Sequence, residues 1–251
     1  MALALWLCWT AATYLLEGRV LTMARPEDTG ARVLYAVIAN LGVGIGGSAY
    51  VLRRLMRRGF LSPRRSGFSA SWRTPVAVGV GVGLGVAAYV AQGAPTLHPI
   101  VLLNGYAQVL VVSVAEVLVC WAVVGGTLEA ILRPIGRVGS VLAALGATSL
   151  FGVYHFAHSP PFNTVGMVAL LSVVGLATGA FFFVSRDAYG TIVFHNFLGL
   201  FGVLGALESA GRLGTYTEPR VPLIATGALS LVALVLAHVV FFRVAAAPHR
   251  T

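Results

Sequence analysis

Long apolar runs separated by short polar or Gly/Pro-rich breaks dominate this chain. Eight of them read as helices that cross a bilayer, at about 2–16, 31–52, 75–92, 100–132, 138–157, 163–184, 190–207 and 221–242. A spanning helix needs about 20 mainly apolar residues. The first run is the shortest. It lacks a basic leader and an A-x-A site, so it reads as a span rather than a cleaved signal. The fourth is long enough to tilt or to protrude from the bilayer. The expected fold class is all-α: a polytopic membrane helix bundle of about eight transmembrane helices, with 1–251 forming a single integral membrane domain. The longest hydrophilic stretch, 53–73, holds Pro63 and Gly67 and reads as a loop. No inverted repeat is visible along the chain.

Composition sharpens this picture. The chain is 58% hydrophobic and 10% charged, against roughly 25% charged in a soluble domain. Its net charge of +9 is the excess of 17 basic residues, all of them arginine, over 8 acidic ones. If the N-terminus is cytoplasmic, twelve arginines fall on the cytoplasmic side: Arg53, Arg54, Arg57, Arg58, Arg64, Arg65, Arg73, Arg133, Arg137, Arg186, Arg243 and Arg250. Five fall on the other side, Arg19, Arg25, Arg32, Arg212 and Arg220, where Glu17, Glu27, Asp28, Glu208 and Glu218 balance them. The charge is therefore a topology signal, with both termini cytoplasmic and the 53–73 loop against anionic headgroups. The bilayer is the expected partner, and nucleic acid is not. Cys8 and Cys120 have no metal-ligand or disulfide spacing and read as small buried hydrophobes. Gly42/Gly46 and Gly81/Gly85 are small-x-x-x-small pairs suited to close helix packing.

Ionisable groups at membrane depth cost roughly 2.5–3.5 kcal/mol each on insertion scales, which makes them functional candidates. Asn104, Gln108 and Glu116 share one helical stripe with Val112 between them, and that stripe must face protein or water. Glu116 reads as a hydrogen-bonded group that ties helices together, with a polar cavity wall as the functional alternative. Glu129 lies thirteen residues further on, turned by roughly 220° on a regular helix, so the two carboxylates form no dyad. Glu129 and Arg133 stand at i, i+4 and read as an ion pair near the membrane edge, with Pro134 ending or kinking the helix. His155 and His158 share a face one turn apart before Ser159, Pro160 and Pro161 stop the helix. His195 and Asn196 lie in the seventh span. His98, His238 and His249 carry no such company.

These residues, in this order, resemble the CPBP family of CAAX proteases and bacteriocin-processing enzymes. The family's E-E-x-x-x-R motif is matched by Leu128-Glu129-Ala130-Ile131-Leu132-Arg133, and its F-x-x-x-H motif by Phe151 to His155. Its third motif, a histidine four residues before an asparagine, is matched by His195 within Thr191–Gly199. The resemblance covers about 120–205, a CPBP-like core. Leu128 stands where the family has its first glutamate, and Gly199 where it has the asparagine. Asn196 is adjacent to the histidine but points about 100° away on a helix.

What the resemblance implies is a metal-independent intramembrane glutamic endopeptidase with no cofactor, in a prokaryotic cell membrane. Its cavity would open to the cytoplasm. Glu129, with Arg133 beside it, and His155 would prepare a water, and His195 and Asn196 would meet the oxyanion. The substrate would be a membrane protein or a prenylated-peptide-like chain. Two alternatives stand beside it. One is a catalytically lapsed relative that binds a lipid, a hydrophobic ligand or a membrane protein partner. The other is a metal site at His155, His158 and His195, residue types that suit zinc.

Overall fold

The computed structural model describes residues 1–22, 28–68 and 72–246, with side chains described as far as Phe241. Arg25, Glu27, His249, Arg250 and the side chain of Arg243 lie outside the described residues. Among the described residues there are eight long helical segments and no strand. They are α1 (2–18), α2 (Thr29–Arg57), α3 (Arg73–Ala91), α4 (Pro99–Ile131), α5 (Gly136–Tyr154), α6 (Val165–Ser185), α7 (Ala188–Ser209) and α8 (Val221–Ala246). Seven of these are long and apolar enough to cross a membrane; α1 falls just short in length. Successive helices alternate in direction. One end of the bundle therefore carries residues 58–68 and the turns at 132–135 and 186–187. The other carries residues 19–22 and the 92–98, 155–164 and 210–220 connections.

α4 is the central pillar. Every residue from Ser113 to Gly126 is buried, and the backbone is π-helical over Val117–Gly125. Trp121 packs on Phe151 of α5, and Trp9 of α1 stacks on Tyr154 with ring centroids 3.8 Å apart. Outward faces are apolar, as lipid requires: Val82, Leu84 and Val86 on α3, and Leu170, Val173 and Leu176 on α6, are exposed. Small residues bring helices together. A Cβ on Gly81 would stand 2.6 Å from the Gly190 carbonyl oxygen, and one on Gly85 would stand 2.5 Å from the Phe197 ring. The Gly42/Gly46 pair makes no such approach; a Cβ on either would meet only backbone of its own helix. Gly44 and Gly47 take that role, against Ala115 and Leu5.

Several charges lie elsewhere than the chain pattern implies. Glu17 and Arg32, counted above as loop charges, are buried at 2% and 3% exposure. Arg32 donates to the Tyr216 hydroxyl at 2.6 Å and to the Thr22 carbonyl at 3.0 Å. Cys8 is exposed on α1 while Cys120 is buried, and both are free thiols. The expected Glu129–Arg133 pair does not form. Leu132 leaves the helix (φ −86°, ψ 3°), so Arg133 enters a 3-10 turn with Pro134 and is exposed.

Candidate functional site

Glu129 is bonded away from the histidines. Its carboxylate accepts from both Arg186 terminal nitrogens at 2.7 and 2.5 Å and from Ser140 Oγ at 2.7 Å. Arg186 sits in the left-handed region (φ 55°) between α6 and α7, which aims its guanidinium at the end of α4. Next to it Asp187 caps α7, accepting from the Gly190 N–H and from Thr74 Oγ1. Leu128, at the position of the motif's first glutamate, packs into the core, with its Cδ1 beside Gly146 of α5. Neither residue lines the cavity described below.

The carboxylate that meets the histidines is Glu116, 5% exposed. His195 Nε2 stands 2.8 Å from its Oε2, and His155 Nε2 stands 3.7 Å from its Oε1. His158 stacks on His155 with ring centroids 5.2 Å apart. Its Nδ1 lies 3.2 Å from Oε2 of Glu17 at the end of α1, which also accepts the Ser159 N–H at 2.8 Å and the Ser159 hydroxyl. The close of α5 makes this possible. His155–Ala157 form a 3-10 turn and His158 is extended, which folds its ring back beside His155.

The tautomers follow from the partners. The Phe151 carbonyl can only accept, so His155 Nδ1, 2.9 Å away, carries a hydrogen. Thr178 donates its one hydroxyl hydrogen to the Val174 carbonyl, so it accepts from His195 Nδ1 at 2.9 Å. The Glu17 carboxylate accepts from His158 Nδ1. Each imidazole is thus pinned through Nδ1–H and turns Nε2 inward. In their neutral forms His155 and His195 present lone pairs to an acceptor-only carboxylate, an arrangement that requires a shared cation. Between His195 and Glu116 a proton fills that need. His158 Nε2 is buried with no hydrogen-bond partner.

Beside these groups lies a cavity of about 120 Å³. A water needs roughly 10–15 Å³ of such space, so several fit. Glu17, Arg32, Glu116, His155, His158 and His195 supply most of its polar lining, and the walls are otherwise mainly apolar, among them Val109, Val112, Leu171, Val174, Leu198 and Leu223. It extends from mid-depth toward the end of the bundle that carries Thr22 and the 155–164 connection, away from the arginine-rich end.

Of the residues singled out by sequence, His155, His158 and His195 come together. Glu129, Arg133 and Asn196 do not join them. Asn196 is buried in the α4–α7 contact, accepting from Ser113 Oγ at 3.0 Å and donating to the Tyr106 carbonyl at 3.3 Å. Gly199, three residues on, does line the cavity. His238 bonds Tyr189, and His98 is exposed before α4. The sequence had flagged Glu116 through its polar stripe. Its stripe neighbours turn inward too: Gln108 accepts from the Tyr216 hydroxyl, and Asn104 donates to the Tyr216 and Glu218 carbonyls. Glu17 carried no signal beyond its place at the end of an apolar run.

No family model, curated protein or solved structure matches this chain.

Proposed function

We propose that this protein is an intramembrane hydrolase that cleaves a peptide bond of a membrane-embedded substrate, CPBP-like in its chemistry but with Glu116 as its carboxylate. The observation that carries the reading is the buried Glu116 held between His195 and His155 at the edge of a water-sized, apolar-walled cavity. The 3.7 Å gap between Glu116 and His155 exceeds a direct hydrogen bond and suits a shared atom such as a water oxygen. That water's oxygen would bond the carbonyl carbon while its proton passes to His155 Nε2. The same proton would move to the leaving nitrogen as the C–N bond breaks. His195 holds the carboxylate in place through the proton the two share.

The arginine distribution favours cytoplasmic termini. In that orientation the cavity serves the opposite leaflet, not the cytoplasmic side that the family resemblance implies. Arg32 at the cavity wall offers a cation to an anionic group of substrate or lipid. The apolar walls also suit the ligand-binding alternative, in which a lipid fills the cavity and no bond is cut.

One experiment separates the two. Proteoliposomes of the protein are incubated with solubilised membrane proteins of a host cell, and new N-termini are counted by amine labelling. Hydrolysis predicts new termini within apolar segments that vanish with Glu116→Gln. Equal counts for the two proteins would overturn it.

A further inference from the structure

The cluster has a property that water activation alone does not use. Glu116, His155 and His158 each offer a ligand atom, and the three atoms lie within 4.8 Å of one another. We infer that they form a three-ligand site for a divalent transition metal, zinc by its donor set, with a fourth position open to the cavity. The inference deepens the hydrolase reading and rests on the same carboxylate.

Four observations carry it. The donor types match: two imidazoles and one carboxylate with an open fourth position is a common catalytic zinc arrangement. The outer partners match as well. A metal-binding imidazole usually donates its other ring N–H to a carboxylate or backbone carbonyl, which fixes its tautomer. Here His158 donates to Glu17 and His155 to the Phe151 carbonyl, leaving both Nε2 atoms free to ligate. The His158 Nε2 atom is buried and unpartnered, which is costly unless something binds it. Finally, the spacing is close. Ligand atoms on one tetrahedral zinc, at about 2.0–2.1 Å per bond, stand about 3.4 Å apart. The 3.7 Å between Glu116 and His155 nearly meets this; no pair exceeds 4.8 Å, so the ligand atoms need to draw in by about 1.4 Å at most.

His195 has a different place. At 2.8 Å from Oε2 it is bonded to the carboxylate oxygen that the metal does not need. It positions Glu116 and carries a proton. The metal would stand in the gap assigned above to water alone and would occupy the His155 Nε2 lone pair; its open position would hold that water and lower its pKa, so that water activation would rest on the metal and not on His155.

The test requires no substrate. Protein in lipid nanodiscs is stripped with a chelator, equilibrated with zinc, desalted, and assayed for metal per chain by mass spectrometry. A parallel cobalt titration reads the visible bands of tetrahedral coordination. One ion per chain is expected for the wild type and none for His155→Ala/His158→Ala. Glu17→Gln, which leaves every ligand in place, should weaken binding roughly 10–100-fold. His195→Ala should retain the ion. Absence of stoichiometric uptake by monodisperse wild-type protein overturns the site, as does uptake that survives the double substitution. Uptake without new N-termini keeps the metal site and removes the hydrolase. Hydrolysis by protein that takes up no metal keeps the hydrolase and removes the metal site.

Discussion

Two carboxylates on α4, Glu116 and Glu129, are separated by thirteen residues and by opposite circumstances. Glu129 has its oxygens answered by a bidentate guanidinium and a hydroxyl. Such a group is electrostatically complete. It ties α4 to α5 and to the α6–α7 turn, and nothing remains for a substrate to engage. Glu116 is buried among imidazoles whose inward nitrogens are acceptors in their neutral form, and it faces open space. That arrangement is electrostatically incomplete until a proton, a metal or a reacting water enters. Burial of charge alone therefore does not mark a reactive centre; unmet bonding capacity beside a cavity does.

The largest effect should come from the incomplete centre. Replacing His155 with alanine removes the group proposed to take the water's proton or, with metal bound, to ligate it, and is expected to lower hydrolysis by about 10²–10⁴-fold, the range for a positioned acid–base group. The measurement is initial rate per folded molecule in proteoliposomes.

The complete pair should respond in stability instead. Glu129→Ala strands the Arg186 guanidinium, whose side chain is 24% exposed. Stranding one partner of a fully buried pair costs about 3–5 kcal/mol; this partly exposed arginine should cost about 2–3 kcal/mol. Thermal unfolding in detergent reads the loss, while the rate per folded molecule stays unchanged. A comparable fall in rate would erase the distinction between the two carboxylates.

A smaller effect sharpens how His195 is held. Thr178→Val keeps the shape of the side chain and removes the acceptor for His195 Nδ1–H. The stranded donor should cost about 1–3 kcal/mol, and the freed tautomer should reduce hydrolysis as well. The smallest effect belongs to Arg133. It is exposed on the turn after α4, so Arg133→Ala should change stability by about 0.5 kcal/mol or less.

The helices were largely legible from the apolar runs, because lipid requires long uninterrupted hydrophobic segments. Ends were less so. α2 extends to Arg57, five residues beyond the expected 52, because its last turns are amphipathic. Leu52 and Met56 face inward there, and Arg53, Arg54 and Arg57 face out. The site was legible in its histidines and in Glu116 as a polar cavity wall, but not in the pairing of the two. Glu129 drew notice through local spacing to Arg133, but the helix ends between them and Arg186 arrives from 57 residues away. Glu116 meets His195 across 79 residues, and Glu17 meets Ser159 across 142. Such convergence is set by packing, including the close approach of Gly18 to the Ala157 carbonyl. The π-helical stretch between Glu116 and Glu129 also alters the rotation that a regular helix would give.

The central claim is that three imidazoles are pinned through Nδ1 and turn Nε2 inward at the Glu116 centre. Nitrogen NMR of histidine-labelled protein in nanodiscs reads it directly, with single substitutions assigning each ring. The expected result is Nδ1–H at His155, His158 and His195, with Nε2 shifts that move in Glu116→Gln and hold still in Glu129→Gln. Rings protonated at Nε2 alone, or shifts that follow Glu129 instead, would contradict the account.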